Sequence, residues 1–170
     1  MILVFGRTGQ VARELARLAP EAVFLGREGA DLADPDACAA AIAAHAPRAV
    51  INATAWTAVD RAETEEALAT VINGAAPGAM ARECAARAIP FVQISTDYVF
   101  DGSGSAPRAP DAPTAPLNAY GRSKLEGERR VRASGAQAVI LRTSWVFSAH
   151  GGNFVKTMLR LLAQRSELGV

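Results

Sequence analysis

The sequence has little cysteine, tyrosine or lysine, and no surplus of charge. Among its 170 residues stand two Cys, two Tyr and two Lys, and the formal net charge is +1. Balanced charge removes the electrostatic ground for expecting nucleic acid or a membrane surface as the main partner. Cys38 and Cys84 lie far apart in Ala-rich stretches, and neither has a second Cys or a His at ligand spacing. No zinc pattern and no disulfide framework emerges, and both thiols are expected to be small buried hydrophobes. His45 and His150 stand apart from each other and from acidic clusters, so no metal site is expected. No apolar run approaches the roughly 20 residues of a membrane span. Residues 2–5 are a short apolar stretch with no basic residue before it, unlike a signal peptide, so a cytoplasmic protein is expected.

Hydrophobic residues make up half of the chain and charged residues 21%. That excludes a disordered tail, and the length suits one domain, assigned as residues 1–170. Brief apolar runs occur at 2–5, 22–25, 49–51, 91–94 and 138–141. Each has the character of a strand buried on both faces. Between them, 10–18, 36–45, 65–87 and 119–133 read as helices, with Pro35 in a first turn and Pro77 breaking or kinking the third. A further helical stretch follows Asn153 and runs to Arg165. This alternation predicts an α/β fold, a Rossmann-like doubly wound parallel sheet of about five strands in the order 3-2-1-4-5. Residues 102–116 (GSGSAPRAPDAPTAP) lack periodicity and read as a surface loop or a lid.

Three clusters carry chemistry. Gly6-Arg7-Thr8-Gly9-Gln10-Val11-Ala12 joins the first strand to the first helix. Gly6 permits a tight turn, Gly9 clears space for a pyrophosphate, and the helix N-terminus offers free N–H groups to it. Ala12 is small enough for close helix–strand packing. After the second strand comes Gly26-Arg27-Glu28. An acidic residue at that place favours the free ribose hydroxyl of NAD, whereas a nearby Arg accepts the 2′-phosphate of NADP. Arg27 tilts the reading to NADPH, with NADH as the alternative, and Asp31 is the nearer candidate for the adenosine side.

Tyr120 and Lys124 are four apart at a helix start, hence on one face. A phenol titrates near pH 10, and a neighbouring ammonium is expected to lower that value. Such a Tyr donates a proton to a carbonyl oxygen as hydride reaches its carbon. Thr96, after the fourth run, places a hydroxyl at a strand's carboxyl end, where it can bond the same oxygen. The late-helix cluster Arg129, Arg130 and Arg132 reads as a solvated helix end, favourable to the dipole.

The segments GRTGQV (6–11), NATAWTAVD (52–60), STDYVFDG (95–102), LNAYGRSK (117–124) and RTSWVF (142–147) occur in this order. Together they resemble the dTDP-4-dehydrorhamnose reductases, extended members of the short-chain dehydrogenase/reductase superfamily. The resemblance runs to Val170. It implies that Gly6, Thr8, Gly9, Gln10 and Val11 hold the pyrophosphate, and that Asp31 and Leu32 flank the adenosine. Ala53, Thr54, Ala55 and Thr57 would line the cofactor cleft. Thr96, Tyr120 and Lys124 would form the catalytic triad, Tyr120 and Lys124 also binding the cofactor, with Lys124 at the nicotinamide ribose, and Thr96, Asp97, Tyr120 and Trp145 would contact the sugar nucleotide. The implied oxidoreductase reaction is reduction by NADPH of the C4 ketone of dTDP-4-dehydro-L-rhamnose, the last step of dTDP-L-rhamnose synthesis.

Four departures accompany the resemblance. Ala12 replaces a third Gly, Trp56 stands where Tyr or His is usual, and Arg108 and Pro110 replace a Tyr-x-Glu pair. The family is also nearly twice as long, with a smaller C-terminal domain that completes the sugar-nucleotide pocket and often the dimer contact. Impaired reduction is therefore expected of these 170 residues, and a homodimer would lack its usual contact. The competing reading is a non-catalytic NADP-binding regulatory subunit resembling the methionine adenosyltransferase β-subunit. An epimerase or dehydratase of the superfamily would show a T-G-x-x-G-x-x-G opening, which is absent here.

Overall fold

A computed structural model describes residues 1–165 and 167. The end of the segment assigned as 1–170, residues 166 and 168–170, lies outside the described residues. The elements run β1 (Ile2–Phe5), α1 (Gln10–Leu18), β2 (Val23–Leu25), α2 (Pro35–His45), β3 (Ala49–Asn52), α3 (Val59–Ala62) and α4 (Glu66–Thr70). A π-helical turn (Val71–Ala75) leads into α5 (Ala76–Ala86), followed by β4 (Phe91–Thr96) and a 3₁₀ turn (Asp97–Val99). The chain continues with α6 (Ala119–Ala133), β5 (Ala138–Thr143) and α7 (Phe154–Leu162). Among the described residues, no helix is long and apolar enough to cross a membrane.

Among the described residues the five strands are all parallel, in the order β2-β1-β3-β4-β5. The expected order 3-2-1-4-5 is therefore corrected. That order needs a helix and a third strand between β2 and the crossover back to the sheet centre. Residues 26–34 form turns instead, and α2 carries the chain directly across β1 to β3. The direction of winding reverses between β1 and β3, which places a ligand crevice above their carboxyl ends.

Helix α2 packs on α5 and α5 on α6, over a core of Leu3, Phe5, Ile42, Val50, Met80, Phe91 and Val131. Cys38 and Cys84 are buried in the same core, and burial pushes each thiol up to about 12. The single helix expected over 65–87 is interrupted by the π-helical turn, immediately before Pro77. Proline has no N–H and crowds the preceding turn, so widening that turn lets the helix continue. Burial on both strand faces fails at β5. Ala138 and Ile140 pack on the core, while Val139 and Leu141 are 54% and 46% exposed on the other face.

Candidate active site

The parallel arrangement brings all five carboxyl ends to one side of the sheet. There the chain forms a cleft of about 1180 Å³, and every site residue named from the sequence borders it. These are Gly6, Thr8, Gly9, Gln10, Val11, Arg27, Asp31, Leu32, Ala53, Thr54, Ala55, Thr57, Thr96, Asp97, Tyr120, Lys124 and Trp145. Such a volume exceeds the roughly 300–1,000 Å³ of most small-molecule pockets and has room for a dinucleotide.

At the β1–α1 turn, Gly6 has φ +118, a conformation that side chains rarely adopt, and Ala12 is wholly buried against it. Gly9 occupies the N-cap of α1 with no side-chain cap, and no atom lies within 4 Å of where its Cβ would be. The first helix has no acidic residue in its first turn. Uncapped N–H groups, a positive dipole end and open space make a fit site for a phosphate.

At the end of β2, Arg7 Nη1 donates to Glu28 Oε1 at 3.1 Å. The Glu28 carboxyl is held below its ordinary value by a backbone hydrogen bond, with Arg7 assisting against burial. Arg27 approaches Asp31 at 4.0 Å and is otherwise in solvent. Asp31 accepts from the Ala33 amide at 3.0 Å, a bond that shapes the turn and orients Leu32, which packs against the core.

After β3, the segment 53–57 is fixed by buried amides. Asn52 Nδ2 donates to Gln93 Oε1 at 2.9 Å, and Asn52 Oδ1 accepts from the Thr54 amide and hydroxyl. Asn73, in the π-helical turn, accepts from the Trp56 amide at 2.9 Å. It also donates to the Trp56 carbonyl and to Ser123 Oγ, both at 3.0 Å. The widened turn thus delivers an amide that joins the cleft wall to α6. Sequence reading missed it, although the irregularity before Pro77 was a signal.

The catalytic candidates meet across β4 and α6. Asn118 caps α6, accepting from the Gly121 amide at 2.7 Å. A Cβ at Gly121 would collide with the Tyr98 carbonyl, so glycine there allows the helix to close on the 3₁₀ turn. This approach puts the Tyr120 and Tyr98 rings edge to face at 5.5 Å. Thr96 Oγ1 donates to Asp97 Oδ1 at 3.2 Å and accepts from the Tyr98 amide at 3.2 Å. Ser144 Oγ in turn donates to Asp97 Oδ2 at 2.8 Å.

The expected lowering of the Tyr120 phenol is corrected. Burial pushes it up, Asp97 and Tyr98 add to the rise, and only the nearby Thr96 hydroxyl works the other way. Lys124 Nζ donates to the Ile94 carbonyl at 2.7 Å. Burial lowers the Lys124 ammonium from 10.5 to about 8, and the Glu128 carboxylate opposes that fall.

Glu128 is fully buried one turn beyond Lys124. It accepts from Ser95 Oγ at 2.6 Å, from Arg142 at 2.9 and 2.7 Å, and from Arg132 at 2.9 Å. Burial opposes its charge, but the bonds from Arg142 and Ser95 prevail and hold the carboxyl below its ordinary value. The late-helix arginines are thus partly engaged, since Arg130 also pairs with Glu126. Arg142 also donates to the Pro110 carbonyl at 3.0 Å and lies over the Phe100 ring. The 102–116 loop is therefore tied to Arg142, and among the described residues none of it borders the cleft.

Trp145 is 71% exposed, has φ +52 and meets Phe154 edge-on at 4.7 Å. Gly151 and Gly152 border the same wall and were not singled out from sequence. His150 Nε2 lies 3.7 Å from Glu14. Among the described residues, no cluster of three His, Cys, Asp or Glu could hold a metal ion.

A family model described as the RmlD substrate binding domain matches residues 1–170. The dTDP-4-dehydrorhamnose reductase of Burkholderia thailandensis is 46% identical over 172 residues, covering 99% of this chain and 58% of that one. A solved dTDP-4-dehydrorhamnose reductase from Clostridium acetobutylicum superposes with a TM-score of 0.92 at 36% identity. It covers 98% of this chain and 61% of its own. The Bacillus anthracis reductase, solved in complex with NADP, gives a TM-score of 0.92 at 34% identity with the same coverage. The chain thus spans less than two thirds of the length of each of these relatives.

Proposed function

Because this chain belongs to the dTDP-4-dehydrorhamnose reductase family, we propose that it is the NADPH-binding, catalytic portion of such a reductase. Residues 1–170 act as the dinucleotide-binding domain, and the substrate is dTDP-4-dehydro-L-rhamnose. The observation that carries this reading is the meeting of Thr96, Tyr120 and Lys124 in the same cleft as the Gly6–Gly9 turn.

A bound nicotinamide dinucleotide supplies hydride, and the protein supplies the place, the proton and the polarisation. The uncapped amides of Gln10 and Val11 hold the pyrophosphate. Arg7 occupies the Glu28 carboxylate, which would otherwise repel a 2′-phosphate, and leaves Arg27 at the rim to receive it. Leu32 and Asp31 border the adenosine end, and residues 53–57 form the wall between the two ends.

A proton donor must be protonated before it acts. Burial holds the Tyr120 phenol in that form at neutral pH, which suits donation to the ketone oxygen. The Thr96 hydroxyl, once turned from Asp97, bonds the same oxygen. Lys124 places positive charge under the site, where it contacts the ribose and favours the phenolate left after donation. Asp97, oriented by Ser144, and Trp145 contact the sugar nucleotide.

The assembled triad favours this reading over a non-catalytic regulatory subunit. The discriminating experiment follows NADPH consumption on addition of dTDP-4-dehydro-L-rhamnose, with product identification. Ketone-dependent consumption yielding dTDP-L-rhamnose is expected, slow with the 170-residue chain and faster with one extended at its C-terminus. Tight NADPH binding with no consumption by the extended chain would favour the regulatory reading.

A further inference from the structure

Gln10 stands in the first turn of α1, where its backbone borders the cleft, but its side chain has other partners. Asn153 Nδ2 donates to Gln10 Oε1 at 2.8 Å and to the Ser148 carbonyl at 2.9 Å. Gln10 Nε2 donates to the Val146 carbonyl at 3.4 Å, and Ser148 Oγ lies 3.5 Å from Gln10 Oε1. Gly151 sits close against the same side chain, with Gln10 Cγ 3.5 Å from its absent Cβ. Residues 144–153 form the segment that leaves β5 and carries Trp145 along the far wall of the cleft.

That segment is also held at its start, where Ser144 Oγ donates to Asp97 Oδ2 at 2.8 Å and Trp145 meets Phe154 of α7. Lys156 Nζ donates to the carbonyls of Ala149 and Gly151, which holds the segment to α7 rather than to α1. Among the described residues, a further polar tie to α1 is His150 beside Glu14, a half-exposed pair at 3.7 Å. Trp145 has a left-handed backbone, which an ordinary residue adopts at a cost and keeps only where its surroundings impose it. The part-buried amide pair is the main polar link between the two walls.

We propose that Gln10 and Asn153 form a latch that makes dinucleotide binding fix the position of Trp145. A phosphate seated on the amides of residues 9–11 stiffens the first turn of α1. The Gln10 side chain passes that stiffness to Asn153 and so to the segment 144–153. By reciprocity, a sugar nucleotide that orders Trp145 tightens NADPH. Gln10 and Asn153 are positioning residues in this scheme, and Trp145 is the group they place. The inference rests on the NADPH reading above.

Hydrogen–deuterium exchange of the 170-residue chain, with and without saturating NADPH, tests it. In the unsubstituted chain, NADPH should slow exchange both at residues 6–13 and at residues 144–153. Asn153→Asp keeps an oxygen to cap α7 at the Lys156 amide but removes the donor to Gln10. In Asn153→Asp, slowing at 6–13 should persist while the NADPH-dependent slowing at 144–153 falls by about fivefold, the scale of a modest coupling. Equal slowing of 144–153 in Asn153→Asp and the unsubstituted chain would overturn the latch. So would an unsubstituted chain in which NADPH slows 6–13 alone. If NADPH slows neither region, the NADPH reading falls and the latch falls with it.

Discussion

Lys124 donates through Nζ to the main-chain oxygen of Ile94 at 2.7 Å, so the ammonium is held against β4, two residues before Thr96. Geometry and burial act on this one group in a way that pH exposes. The lowered value of about 8, against 10.5 for an ordinary lysine, comes first from burial. Below about pH 8 the folded and unfolded chains both carry the proton. Between about 8 and 10.5 the unfolded chain keeps it and the folded chain has released it, so stability rises with pH across that window. Each pH unit there is worth about 1.4 kcal/mol for this group. Urea unfolding from pH 7.5 to 10, compared with Lys124→Met, should show that rise in the unsubstituted chain and its loss in the variant. Other groups shift both profiles alike.

The Glu128 carboxylate joins α6 to β4 through Ser95 and to β5 through Arg142. Glu128→Gln leaves buried guanidinium charge without its partner, which typically costs about 3–5 kcal/mol. Chemical denaturation should show this loss. Arg142→Met in the same chain should recover part of it, since the two effects are not additive within a pair.

Gly121→Ala drives a methyl group into the Tyr98 carbonyl and forces α6 from the 3₁₀ turn. A stability loss of about 1–3 kcal/mol is expected. Ketone reduction should suffer more than NADPH affinity, because Tyr120 and Thr96 part while the turn at Gly9 is untouched. Parallel unfolding, binding and rate measurements separate the three effects.

Arg27→Ala should weaken NADPH by roughly fivefold while leaving NADH within about twofold, since an exposed charge-assisted contact contributes on the order of 1 kcal/mol. The difference should shrink as salt is raised. Titration of both dinucleotides at two ionic strengths checks this.

The readable part of the molecule was its punctuation. Each strand is a short apolar run, and the residues after its carboxyl end, among them Gly6, Arg27, Ala53 and Asp97, fall on one side because the sheet is parallel. Tyr120 and Lys124 were legible because helical spacing is local. The strand order was not, since it depends on which way α2 crosses the sheet. Nor was the network of Ser95, Glu128 and Arg142, or the pairing of Gln10 with Asn153. Their partners lie between 14 and 143 positions apart, and no local periodicity records such bonds. The direction of the Tyr120 shift was misjudged for a related reason. Spacing puts Lys124 on the same helix face, but burial of the phenol, with Asp97 and Tyr98 beside it, decides the direction, and spacing records none of these.

The central claim is that Tyr120 gives the proton to a ketone in a cleft that already holds NADPH. Comparison of Tyr120→Phe with the unsubstituted chain tests this most directly, with NADPH affinity and ketone-dependent turnover measured on the same samples. The account expects kcat/KM to fall by roughly 10²–10⁴, the usual contribution of a positioned acid, with NADPH affinity unchanged within about twofold. Turnover by Tyr120→Phe equal to that of the unsubstituted chain would contradict it.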